Sequence, residues 1–333
     1  MSATVDALPP STGPAREAAI ASALLGGEMP SWLRTWVPVP VAGVGHTGTI
    51  YVFPDYLSIG SDDDFVRMPM APTTAEQVAS SLGGRLPTRK MVNDIHSAAS
   101  LLAAQPWGPP YDSSMMATQR YIAHNAKIES YRASIGLTNG MLVSGHKKDV
   151  VVSPTMDGAH VCIYGWFTKA SPSSAIQGPP ANCKSHELSY ADYSHGIRVV
   201  KDTMLVDGQE MLVDDVMRDA SLSALVSDNG VYFRTRYSDG APTGGGGNIP
   251  YSPPSQKQPP KAPPKDPSGY KQPATPKDPG QPGVPEPTPD VTSSELSAGG
   301  KVIALIAGML GMAAIARFVY GPQIFMQNRR WYR

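Results

Sequence analysis

Two strings of polar residues carry the side chains most suited to chemistry. The first is Gly145-His146-Lys147-Lys148-Asp149, set immediately before the apolar run Val150-Val151-Val152. The second begins at His186 and continues as Tyr190-Ala191-Asp192-Tyr193-Ser194-His195-Gly196-Ile197-Arg198. An extended backbone over 190–198 would put Tyr190, Asp192, Ser194 and Arg198 on one face and Tyr193 and His195 on the other. A face bearing a carboxylate, a hydroxyl and a guanidinium is too polar for a core and reads as the wall of a cleft.

Three chemistries fit these residue types. His146, Asp149, His186 and His195 offer three imidazoles and a carboxylate to a zinc ion, with one position left for water. Alternatively, His146 or His195 acts as a metal-free general base, oriented by Asp149 or Asp192, while Arg198 stabilises an anion. The third is thiol chemistry, for which Cys183, three residues before His186, is the candidate. The expected catalytic set is His146, Asp149, His186, Asp192, His195 and Arg198. The competing structural reading makes Tyr190, Tyr193 and Trp166 core aromatics, Lys147 and Lys148 a solvated loop, and Asp192 and Arg198 a buried pair. His96 and His124 lie on expected helices and read as fillers.

Several resemblances attach to these strings. Ser194-His195-Gly196-Ile197-Arg198 resembles the signature of L,D-transpeptidases without their nucleophilic cysteine, and His146-x-x-Asp149 loosely resembles the first motif of peptidoglycan metallopeptidases. More broadly, LPTRKMVNDI (86–95), GHKKDVVV (145–152), CIYGW (162–166) and YADYSHGIRVV (190–200) resemble a widespread, largely uncharacterised family of bacterial and phage proteins over most of residues 15–230. The resemblance supports the domain limits and implies histidine where this chain has Phe167.

The positioning elements follow from periodicity and punctuation. Pro14 opens a helix over AREAAIASALL, with Ser11 or Thr12 as its cap and Gly26-Gly27 as its stop. Thr73-Thr74-Ala75-Glu76 has the form of a capping box opening a helix to Leu82. Thr88 starts another, with Met91, Ile95, Ala98 and Leu102 on one face, and 116–135 reads as a fourth. Short apolar runs at 48–53, 141–144, 149–153, 160–166, 196–200, 202–206 and 209–213 read as strands. Asp207-Gly208 joins the last two as a hairpin. Helices followed by a mostly antiparallel sheet make the fold class α+β. Asp62-Asp63-Asp64 lacks the spacing of a calcium loop and reads as a turn.

Composition divides the rest of the 333 residues. Sixteen of the 34 prolines fall between 241 and 290, with Pro-Lys-Asp-Pro repeated at 264–267 and 276–279 and no run able to form a core. Such a segment cannot recover its ordering entropy and reads as a disordered spacer, 241–298. Val302 to Tyr320 is apolar but for Arg317, and is flanked by Lys301 before and by Arg329, Arg330, Trp331, Tyr332 and Arg333 after. This is the pattern of a single membrane helix, 299–321, with a basic, aromatic tail, 322–333. Ala304 with Gly308, and Ala307 with Gly311, give it a small-residue face suited to self-association.

Charge excludes one class of partner. The whole chain is neutral, with 28 basic and 28 acidic residues. Five lysines and four acids fall in 241–290, and five basic residues and Glu295 in 291–333. Residues 1–240 therefore hold 28−10=18 basic and 28−5=23 acidic side chains, net −5. An acidic domain is not built to neutralise phosphates, so nucleic acid is not an expected partner. The expectation is a globular domain, 1–240, tethered to a membrane in a virion or cell envelope and acting as a hydrolase or transferase on cell-wall polymer. The alternative is a non-catalytic phage or surface-binding protein of the same architecture. The arginines after the helix place the C-terminus inside, whereas the N-terminus lacks a secretory signal, so the side of the membrane stays open.

Overall fold

The two polar strings, some forty positions apart in sequence, are neighbouring strands. In a computed structural model, which describes residues 3–239, His195–Gly196 pairs in parallel with Lys148–Val150, His195 opposite Lys148 and Gly196 opposite Asp149. On its other side Lys148–Val150 pairs antiparallel with Ile163–Phe167, which in turn pairs with Ala175–Asn182. These four strands form the sheet that holds the candidate residues.

A second sheet is organised around His46–Val52. Val37–Gly43 pairs along its whole length, while Thr203–Val206 and Val200–Lys201 also pair with it. Gln209–Leu212 and Gly84–Arg85 complete the sheet. Val37–Gly43 contains Pro38 and Pro40, which argue against a strand in sequence. It pairs only with His46–Val52, and residues two apart point their backbone nitrogens the same way. Both prolines therefore fall on the unpaired side, while Val39 and Val41 are buried. One apolar core joins the two sheets through Val39, Ile50, Val52, Val150, Ile163 and Val200.

The helices are Pro14–Leu25, Pro72–Ser81, Arg89–Ala98 and Thr118–Ser134, with short ones at Ala3–Asp6 and Val213–Arg218. The mixed α+β class, with helices near the N-terminus and an antiparallel sheet, is as expected. Several local expectations are corrected. Gly13, not Ser11 or Thr12, precedes the first long helix and gives no side-chain cap. The capping box at 73–76 does not form, because Ala71 is the cap residue and the Glu76 carboxylate instead accepts from the backbone N–H groups of Tyr237 and Ser238. Thr88 does cap its helix, accepting from Met91 N at 3.1 Å. That helix ends at Ala98, and Ser100–Leu101 becomes a short parallel strand beside Val143–Ser144. The Asp207-Gly208 hairpin forms, both residues having positive φ (48° and 83°) as a two-residue hairpin turn demands.

Cys162 and Cys183 form a disulfide, and no cysteine among the described residues is free. The thiol-nucleophile expectation is therefore overturned. The bond closes the loop between the strand carrying Trp166 and the segment carrying His186. No helix of the described residues is long and apolar enough to cross a membrane. The expected spacer, membrane helix, self-association face and tail lie at 240–333, outside the described residues.

The disulfide gives a direct prediction. The full chain, denatured without reductant, should show no free thiol by Ellman titration. Replacing both cysteines with serine should lower unfolding stability by about 2–4 kcal/mol, the usual effect of a loop of this length. Two titratable thiols in the unreduced chain would contradict the pairing.

Candidate active site

The segment leading into the short strand at His195 is a turn rather than the extended run that alternation implied. Ser194 donates to Asp192 Oδ1 through both its backbone N–H (2.7 Å) and its hydroxyl, and His195 N donates to Asp192 O at 3.0 Å. The hydroxyl of Tyr190 donates to Asp192 Oδ2 at 3.0 Å. Three further bonds fix the turn from outside. Tyr121 donates to Ala191 O at 2.5 Å, Trp107 N to the Tyr193 hydroxyl at 2.9 Å, and the Lys147 ammonium to Tyr193 O at 2.5 Å. Lys148 N donates to Ser194 O at 2.7 Å and joins the turn to the neighbouring strand.

His195 has no exposed surface, and neither of its ring nitrogens has a hydrogen-bond partner. A buried imidazole without a partner has lost its hydration and gained nothing in exchange, which is uncommon outside sites that receive a ligand or water. The ring of Tyr190 lies 5.6 Å away, edge on, and His186 stacks on Tyr190 at 4.0 Å. Burial, only partly offset by the charge of Asp192, pushes the His195 imidazole down to about 4, so it is neutral at pH 7. Burial opposes ionisation of Asp192 as well. His195, Lys148 and the two Ser194 hydrogen bonds outweigh it and hold the carboxyl well below the usual carboxylate range. A neutral base thus stands beside a fixed negative charge, which favours the imidazolium formed on accepting a proton.

Trp166 borders this arrangement. Its φ of 63° is a strained, left-handed conformation for a bulky residue, and its indole N–H is buried without a partner. The half-buried Lys148 places its ammonium 5.0 Å from the indole ring centre.

The other expected residues form a separate buried network. His146 Nε2 meets Asp55 Oδ1 at 3.0 Å, and Asp55 takes a bidentate bond from Arg67, whose remaining nitrogen reaches Glu129 at 2.7 Å. Asp149 accepts from the Tyr56 hydroxyl at 2.9 Å. Arg198 donates to Phe53 O (3.0 Å) and Val143 O (2.7 Å) and lies 4.3 Å over the Tyr56 ring. Lys147, which the competing structural reading puts in a solvated loop, is wholly buried between Tyr193 O and His124 Nδ1. Burial pushes the Asp149 carboxyl up to about 7, against Arg198 and Tyr56, and pushes Lys147 down to about 7.

The structure therefore groups Asp192, His195 and His186 with Lys148, Tyr190 and Trp166. It assigns His146, Asp149 and Arg198 to the network that holds the strands. Arg198 is tied to backbone carbonyls rather than paired with Asp192 or left free for an anion. The zinc set of His146, Asp149, His186 and His195 is corrected too. Among the described residues no group of three or more histidine, cysteine or carboxylate side chains is placed to hold one metal ion. His146 takes its main electrostatic partners from Asp55, Arg67 and Arg198, while His195 takes them from Asp192, Lys148 and His186.

Compared with known proteins, the chain matches no family model, no curated protein and no solved structure. Any functional reading rests on the geometry of this chain.

Lys148 and Trp166 were missed as site residues, and Tyr190, read on the cleft wall with Asp192, was left out of the catalytic set. Tyr190 could have been found from its spacing, since a tyrosine two residues before an aspartate can close on it across a turn. Nothing in the sequence marks Trp166, whose backbone strain is visible only in three dimensions. His96 and His124 are satisfied fillers, as expected, with His96 held by Ser144 and Lys169 O and His124 by Gln105 O and Lys147.

The buried histidines set the acid response. The ordinary value for histidine is 6.5, but burial pushes His146 down to about 3 and His195 down to about 4. The unfolded chain therefore binds protons at these positions first, and both residues cost stability as pH falls from 6.5 towards 4. Asp149 acts oppositely, keeping its proton up to about 7 in the folded state, so it adds stability over the same fall. His124, pushed down to about 2, adds a third such loss, and His146→Gln preserves a donor to Asp55 while removing one of the three. Urea unfolding between pH 6 and 4 should show the slope of stability against pH reduced by about 1 kcal/mol per unit. An unchanged slope would contradict a neutral, buried His146.

Proposed function

We propose that this protein is a membrane-tethered enzyme that cleaves or transfers a bond in a cell-wall polymer by metal-free acid–base chemistry. His195 accepts and returns the proton, Asp192 favours its charged form, and Tyr190 and His186 cover the ring. The observation that carries the reading is the buried imidazole of His195, neutral, unpartnered on both nitrogens and adjacent to an ionised carboxylate. A positioned base of this kind supplies about 10²–10⁴ in rate.

The cell-wall target is supported by the architecture read from sequence. The proline-rich stretch 241–290, fifty residues, would if fully extended at about 3.1 Å each reach on the order of 150 Å. The disulfide supports placing the domain outside the cytoplasm, since such bonds persist in oxidising compartments. This agrees with a C-terminus held inside by Arg329, Arg330 and Arg333.

A second reading, binding without turnover in a phage or surface protein, is favoured by one observation. Asp192 and His195 have almost no surface of their own, 2% and 0% exposed, so a ligand must displace covering side chains to reach them.

Full-length protein in detergent, incubated with insoluble peptidoglycan, should release soluble fragments in the presence of a chelator. His195→Gln and Asp192→Asn should each lower the rate at least about 100-fold while near-UV circular dichroism stays native. An Arg198→Ala chain should instead lose its fold, because its partner carbonyls are left buried. Absence of release by the native chain, or unaltered release by His195→Gln, would refute the enzymatic reading.

A further inference from the structure

A groove of about 680 Å³ lies where the starts of two helices, Pro14–Leu25 and Pro72–Ser81, meet the segment just before Tyr190. Its volume is in the range of sites that hold small molecules or short polymer segments. Glu187, Leu188 and Ser189 form one wall, so the groove shares a segment with the candidate site, between His186 and Tyr190. That segment is held to the body by Val161 N donating to His186 O (3.1 Å), Leu188 N donating to Ala159 O (2.8 Å) and the nearby disulfide.

The lining has a definite chemistry. Thr73, Thr74 and Ser189 present hydroxyls, Pro14, Ala71 and Leu188 present apolar surface, and Glu17, Glu187 and His160 add hydrogen-bonding groups of their own. Neither lysine nor arginine lines the groove, so a polyanion would find no fixed counter-charge there. Glu17 accepts from Ala71 N at 2.9 Å through one oxygen, and its other oxygen is buried without a partner. Burial raises this carboxyl above its ordinary value, against the hydrogen bonds from Thr74 and Ala71 and the charge of Arg16. Hydroxyl partners interleaved with apolar patches suit a sugar ring, whose faces are apolar and whose edges carry hydroxyls and amides.

We propose that this groove is the binding subsite for an uncharged glycan strand, holding it beside the segment that covers His195. The proposal deepens the cell-wall reading and rests on it for the choice of polymer.

The test uses the full-length chain in detergent and the tetramer of N-acetylglucosamine, with binding followed by calorimetry. Thr73 and Ser189 are exposed, so Thr73→Trp and Ser189→Trp fill the groove without disturbing the core. Each should weaken binding at least tenfold, while Val44→Trp, at an exposed position outside the groove lining, should bind within about twofold of the native chain. Equal binding by both groove variants, or none by the native chain, would overturn the proposal. Groove-dependent binding without peptidoglycan cleavage would refute the catalytic reading and leave the subsite standing. Cleavage with no tetramer binding would do the reverse.

Discussion

Charge buried between two strands is the constraint on which this structure depends. Moving a guanidinium or carboxylate out of water costs several kcal/mol, and only a partner with good geometry offsets it. Arg67, Arg198, Lys147, Asp55 and Asp149 all lie beneath the surface, and each has such a partner. Asp55 receives the bidentate arginine, Arg198 caps two carbonyls, and Lys147 holds the turn that presents His195. Satisfied in this way, the network ties His46–Val52, through the Phe53 carbonyl just beyond it, to the smaller sheet and fixes where the two polar strings meet. The candidate site inherits its position from bonds made by residues that take no part in chemistry.

Against that background the unpartnered groups stand out. The same interior that supplies Asp55 with four donor nitrogens leaves both nitrogens of His195 and the indole nitrogen of Trp166 without any acceptor or donor. Their neighbours, Lys148, Tyr190 and His186, are only half buried, so solvent lies close to them. Single buried atoms elsewhere also lack partners, among them Glu17 Oε1, His146 Nδ1, Arg198 Nε and the Tyr232 hydroxyl, but His195 lacks a partner on both of its ring nitrogens, which leaves it free to bond a ligand.

The α+β class, most helix positions and the Asp207-Gly208 hairpin were legible, because periodicity and turn chemistry are local. Glu76 was misread for the same reason: its local context forms a capping box, yet its real partners, Tyr237 and Ser238, lie about 160 residues away. Strand Val37–Gly43 was hidden by prolines that only an unpaired edge tolerates. Of the expected site, His186, Asp192 and His195 come together, whereas His146, Asp149 and Arg198 belong to the supporting network. The types of those three residues are compatible with either role, and only the register of the parallel pair and the position of Asp55 decide between them. The disulfide was not legible either, since two cysteines 21 residues apart show no pairing until the intervening hairpin is folded.

The account turns on a neutral, desolvated imidazole at position 195. Ring nitrogen-15 spectra of the full-length chain, assigned through His195→Gln, test this directly across pH 3 to 8. The structure predicts a neutral ring down to about pH 5, with protonation centred near 4. A ring that titrates near the free-histidine value of about 6.5 would show a solvated side chain and contradict the account.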